Sequence, residues 1–131
     1  FASFSPGATN RTSNNDPILL NNTGNKNITE LQINTTDLVG EVDSTRKISA
    51  GNFSIMNITG AAPDECSLQG NLSRYNFRNI TNGQLLRGNY SIGNGQTGQE
   101  QFYFCIRTVG NEVSSQAYST ASEGAWTLKI I

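Results

Sequence analysis

Apolar residues along this chain come in short alternating runs. Leu31 and Ile33 alternate with Glu30, Gln32 and Asn34. Phe102, Phe104 and Ile106 alternate with Tyr103, Cys105 and Arg107, and Trp126, Leu128 and Ile130 alternate with Thr127, Lys129 and Ile131. A period of two sends successive side chains to opposite faces of a strand, so the Leu31/Ile33 run predicts one buried and one wet face, and the other two runs each divide their side chains between two faces. Helical spacing of apolar positions is absent, and Gly and Asn interrupt every window in which it could develop. Strands are predicted at residues 16–22, 27–35, 38–42, 53–58, 75–80, 85–92, 100–109, 115–119 and 125–131, each bounded by Gly, Asn, Asp or Ser. The first two are read as a pair joined by the turn Asn22-Thr23-Gly24-Asn25, since Asn and Gly tolerate positive φ.

Short strands with turns at this spacing predict an all-β fold, a single Ig-like or jelly-roll-type β-sandwich. The chain of 131 residues is the length of one domain. Residues 1–16 read as an N-terminal strand and linker, with the polar stretch Asn10–Asp16 as the linker, and residues 17–131 as the sandwich.

Composition narrows the setting. The net charge is −1 and no basic run occurs, so nucleic-acid binding lacks its electrostatic footprint. No apolar run approaches the roughly 20 residues that span a bilayer. Charged residues make up only 15%, which leaves solubility to amides, hydroxyls and sugar. Phe1 reads as a processed N-terminus from which a targeting segment has been removed.

Nine Asn-x-Ser/Thr triplets occur, at Asn10, Asn21, Asn27, Asn34, Asn52, Asn57, Asn71, Asn79 and Asn89, none with Pro in the middle. With 17 Asn and 26 Ser or Thr in the sequence, random placement gives about three (17 × 26/131). Each is an acceptor for N-linked sugar in an exported chain, which points to an extracellular, cell-surface glycoprotein. Asn34, Asn52 and Asn89 are the preferred positions, because each stands opposite apolar neighbours in its predicted strand. Asn57 shares parity with Phe53 and Ile55 and is usable only where that strand has ended. In an exported chain Cys66 and Cys105 read as a disulfide, stabilising the fold by roughly 4 kcal/mol in the chain-entropy model. Cys105 falls on the face away from Phe102 and Phe104.

Catalytic chemistry finds little footing. With no His, Ser-His-Asp, Cys-His and His-Glu-x-x-His machinery is excluded. The acid pairs Glu41 with Asp43 and Asp64 with Glu65 sit in Gly- or Pro-flanked segments and read as solvated loop acids. They lack the ligand spacing of a calcium loop. No metal or cofactor is expected. One covalent possibility is a bond between Lys26, Lys47 or Lys129 and an Asn or Asp side chain.

The opening Phe4-Ser5-Pro6-Gly7-Ala8-Thr9, the turn Ile18-Leu19-Leu20-Asn21-Asn22-Thr23-Gly24-Asn25 and the strand around Leu31 and Ile33 resemble the TasA/camelysin-like group of secreted β-sandwich proteins. They are also similar to archaeal surface proteins that form thin extracellular filaments, threads and bundling pili. The likeness covers roughly residues 1–40 and the strand layout. It implies a homopolymer of identical subunits assembled head to tail by donor-strand complementation, in which Phe1, Ala2, Phe4 and Ala8 would enter a neighbour's sheet. The expected function is therefore a non-enzymatic structural subunit of an N-glycosylated filament. The alternative is a surface-layer or adhesin-type Ig-like binding module.

Overall fold

The computed structural model describes residues 3, 5–57, 71–80, 84–88 and 97–131. Phe1, Ala2, Phe4, Asp64, Glu65, Cys66 and Asn89, and the side chain of Asn57, lie outside the described residues. The strands are β1 (Thr9–Thr12), β2 (Ile18–Asn21), β3 (Leu31–Asn34), β4 (Leu38–Gly40), β5 (Lys47–Ile48), β6 (Phe53–Asn57), β7 (Arg78–Asn79), β8 (Gln99–Thr108), β9 (Tyr118–Ser119) and β10 (Thr127–Ile130). The only helical element among the described residues is a 3₁₀ turn, Ala50–Asn52, capped by the Ser49 hydroxyl, which accepts from the Gly51 N–H. The architecture is all-β, in three small antiparallel sheets.

The first sheet is organised on β8. β6 runs along one side, from Phe53 opposite Ile106 to Asn57 opposite Phe102. β1 and β2 lie end to end on the other side, against Cys105–Thr108 and Gln99–Phe102 respectively. Between them the ladder is carried across a break. The Ser13 N–H donates to the Phe104 carbonyl at 2.9 Å, and the Phe104 N–H donates to the Asp16 carboxylate at 3.0 and 3.2 Å. The Asp16 side chain thus accepts where the backbone ladder lapses, beside a Pro that has no N–H to give. Burial holds this carboxyl above its ordinary pKa, opposed by the Phe104 bond.

The linker expected at Asn10–Asp16 therefore contains a strand. β1 is exposed along its whole length, so its sequence carries no alternation to announce it. Gly7 and Ala8 extend the pairing, with bonds to and from Val109 at 2.9 Å. Ala8 is engaged within its own molecule.

The second sheet has the order β10-β3-β7 and the third β5-β4-β9. The hairpin expected between residues 16–22 and 27–35 does not form, because β2 belongs to the first sheet and β3 to the second. The intervening bend crosses between sheets. Asn22, 4% exposed, fixes it by donating to the Lys26 and Leu85 carbonyls at 2.9 Å and accepting from the Gly24 N–H at 3.0 Å. A buried amide with three partners is the anchor of this crossing.

One core joins the sheets. Leu31 and Ile33 of β3 cluster with Ile48 of β5, Phe53 and Ile55 of β6, Phe102 and Ile106 of β8, and Leu72, Ile80, Leu85, Val109 and Val113. Trp126 packs edge-on to Phe53 (centroids 5.2 Å apart, planes at 84°) and donates from Nε1 to the Thr36 carbonyl at 2.9 Å. Phe102 and Ile106 face this core, while Tyr103 and Cys105 project from the other side of β8 and are buried too. Around the rim, Glu123 receives Lys47 at 2.7 Å and Arg74 at 2.8 Å, and Arg74 stacks on Tyr75 with its guanidinium carbon 4.5 Å from the ring centroid. These contacts tie three surface segments together, and the two cations hold the Glu123 carboxyl below its usual value.

Candidate assembly edge and glycosylation surface

β10 pairs with β3 on one side, and no other strand among the described residues pairs with it. Register matches Leu128 with Ile33 and Ile130 with Leu31, so all four side chains share one face of the sheet. Leu31 and Ile33 are 0% and 3% exposed; Leu128 and Ile130 are 53% and 61% exposed. The apolar face that builds the core thus runs on past the last buried row into solvent. Ile18 repeats the pattern on β2. It stands opposite buried Phe102 and is itself 47% exposed. Open strand edges with apolar side chains are templates for an added strand.

The opposite face of the second sheet is wet. It carries Gln32 and Asn34 of β3, Thr127 and Lys129 of β10 and Asn79 of β7, placed by the pairs Thr127 with Asn34, Lys129 with Gln32 and Gln32 with Asn79. Two glycosylation triplets therefore open onto one surface. Their settings differ. Asn79 is exposed, whereas Asn34 is half-buried, its Oδ1 is shielded and without a hydrogen-bond partner among the described residues, and Thr36 of its triplet is buried with its hydroxyl donating to the Gly124 carbonyl at 2.7 Å.

The other triplets sort in the same way. Asn10, Asn21 and Asn27 are exposed. Asn21 Oδ1 accepts from Gln99, and Asn27 Oδ1 accepts from the Arg87 N–H at 3.0 Å. Asn71 is half-buried with its Oδ1 shielded. Asn52 closes the 3₁₀ turn instead of sitting in a strand, and Ser54 of its triplet is fully buried. The two preferred positions within the described residues, Asn34 and Asn52, are thus the ones whose Ser or Thr the fold encloses.

No free cysteine is found among the described residues, and Cys105 is 0% exposed. The candidate acids and lysines are dispersed. Asp43 accepts from the Thr45 N–H at 3.0 Å and the Thr45 hydroxyl at 2.6 Å within its own turn, which lowers its pKa, and Glu41 is exposed. Lys47 is committed to Glu123, Lys129 lies over Phe77, and Lys26 is exposed. No group of three His, Cys, Asp or Glu able to hold a metal occurs among the described residues, and no helix there is long and apolar enough to cross a membrane. A scan of protein-family models, a search of curated proteins and a search of solved structures each find no match to this chain.

Proposed function

We propose that this chain is a secreted, N-glycosylated structural subunit of a cell-surface filament, assembled from identical copies by strand addition. The observation that carries the reading is the apolar rim of β10, where Leu128 and Ile130 continue the core face beyond its cover. A strand laid along β10 would gain backbone pairing and bury both side chains, at about 25 cal/mol per Å² of apolar surface. The occupant is the apolar N-terminal stretch of a second copy. Gly7–Thr12 is paired along β8, so the donated stretch lies ahead of Gly7 and offers Phe1, Ala2 and Phe4. Repetition of a contact between two different surfaces yields an open filament where the rotation does not close. In this reading the addition completes a sandwich, Cys66 pairs with Cys105, and sugars coat the wet faces.

Light scattering and electron microscopy of the full chain test this. The parent protein is expected to polymerise. Leu128→Lys combined with Ile130→Lys, and separately deletion of residues 1–6, are expected to leave folded monomer. A parent that stays monomeric at all concentrations, or polymers that persist in both variants, would overturn the reading.

A further inference from the structure

Phe77 and Asn79 are two residues apart where the chain enters β7. Lys129, on the wet face of the second sheet, reaches over the Phe77 ring, which puts that ring on the same side as Asn79. That side is the one away from the core, since Asn79 is opposite Gln32 while Ile33 and Leu31 are buried beneath the sheet. Asn79 is exposed, and the Phe77 ring is 45% exposed. Lys129, which stands opposite Gln32 on the other neighbour of β3, brings its Nζ to 5.6 Å from the Phe77 ring centroid. A half-exposed aromatic ring, with the Lys129 ammonium over one face and amides nearby, thus lies on the same surface as the residue to which a sugar would be joined.

This arrangement suits a pyranose. The C–H groups on one face of the sugar ring carry slight positive charge and meet the negative face of an aromatic ring. The Lys129 ammonium, and the second N–H of the Gln32 amide whose first donates to Glu30 Oε1 at 2.8 Å, offer donors to hydroxyl or acetamido oxygens at the rim. Asn34 shares the surface but is half-buried, with the Thr36 hydroxyl of its triplet engaged by the Gly124 carbonyl.

We propose that the glycan on Asn79 packs its first sugar against Phe77, so that the outer face of the second sheet becomes a sugar-covered surface. The proposal rests on the reading of the chain as an N-glycoprotein.

The test uses full-length protein from a host that N-glycosylates secreted chains, with peptide mapping of sugar at all nine triplets. Thermal unfolding is compared for the parent, Phe77→Ala, Asn79→Gln and the double variant, with the same set from a non-glycosylating host as the reference. Loss of the Asn79 sugar is expected to lower Tm by about 2–6 °C with Phe77 in place, as for a change near 1 kcal/mol in a domain of this size. In the Phe77→Ala background the drop is expected to vanish, and Phe77→Tyr is expected to restore it. Equal drops in both backgrounds, with sugar mapped on Asn79, would overturn the stacking alone. A bare Asn79 beside occupied neighbours would overturn the stacking and leave the glycoprotein reading standing. Nine bare triplets would overturn both.

Discussion

Leu128 stands directly across from Ile33 in the β10–β3 ladder, on the same face of the sheet, yet Ile33 is 3% exposed and Leu128 53% exposed. One row of the ladder therefore spans the boundary between core and solvent. Substitution should report that boundary. Ile33→Ala removes buried volume and is expected to cost about 2–5 kcal/mol in the monomer. Leu128→Ala is expected to cost well under 1 kcal/mol there, because little of its surface leaves water on folding. Urea denaturation of both variants at low protein concentration checks this. In assembled material the order should change, with Leu128→Ala weakening association while leaving monomer stability nearly untouched.

Asp16 carries the second prediction. Its carboxylate is the acceptor for the Phe104 N–H at the break between β1 and β2. Asp16→Ala orphans a half-buried donor and is expected to cost about 1–3 kcal/mol, whereas Asp16→Asn keeps an acceptor oxygen and is expected to cost less than half of that. The pH dependence has a definite sign. The folded pKa lies above the ordinary 3.8, so ionisation opposes folding. This contribution to stability is full below 3.8 and is lost as pH rises through the folded value. Glu123 runs the other way. Lys47 and Arg74 hold its folded pKa below the ordinary 4.5, so its contribution is present above 4.5 and is lost as pH falls through the folded value. Stability measured from pH 6 down to pH 3 should fall less steeply in Glu123→Gln than in the parent, and more steeply in Asp16→Asn.

These two acids also mark what the sequence made legible. The alternation of Phe102, Phe104 and Ile106 against Tyr103 and Cys105 is written plainly and β8 forms there, but both of its faces are covered, since Tyr103 and Cys105 are buried along with Phe102 and Ile106. In β3 the two faces do differ, as Leu31 and Ile33 are buried and Gln32 and Asn34 are half-buried. What alternation cannot convey is which strand a run will pair with. Residues 16–22 and 27–35 have the look of a hairpin, but Asn22 is worth more as a buried anchor between sheets than as a turn residue. β1 gave no signal because an edge strand exposed on both faces has no apolar period to read. The rim at Leu128 was hidden for the opposite reason. Its alternation is that of an ordinary core strand, and only the register shows that its cover stops one row short. The different settings of the Asn triplets were likewise hidden, since the burial of Thr36 and Ser54 and the partial burial of Asn34 and Asn71 come from packing between elements.

Cys105 is fully buried on the side of β8 away from the core. The disulfide proposed with Cys66 predicts that alkylation labels both cysteines only after reduction under denaturing conditions. It also predicts that Cys66→Ala with Cys105→Ala loses roughly 4 kcal/mol, the chain-entropy value for a loop of this length. Free labelling of Cys66 in unreduced, unfolded protein would rule the pairing out.

Thr36 separates a packing role from a glycosylation role. Its hydroxyl donates to the Gly124 carbonyl at 2.7 Å, and its own carbonyl accepts from Trp126 Nε1 at 2.9 Å, so the residue locks the start of β10 to the end of β3. Thr36→Val retains shape and volume but removes the donor, leaving the Gly124 carbonyl short of a partner. It is expected to lower stability by about 1–2 kcal/mol in protein made without any sugar. Thr36→Ser keeps the hydroxyl and is expected to lose less than Val does. If Thr36 mattered only as part of the Asn34 triplet, Val and Ser would be indistinguishable in unglycosylated material. Trp126 is the only Trp in the chain, so its fluorescence reads the same joint directly. The Val variant should shift that emission toward the red as the β10 entry loosens, and the Ser variant should not.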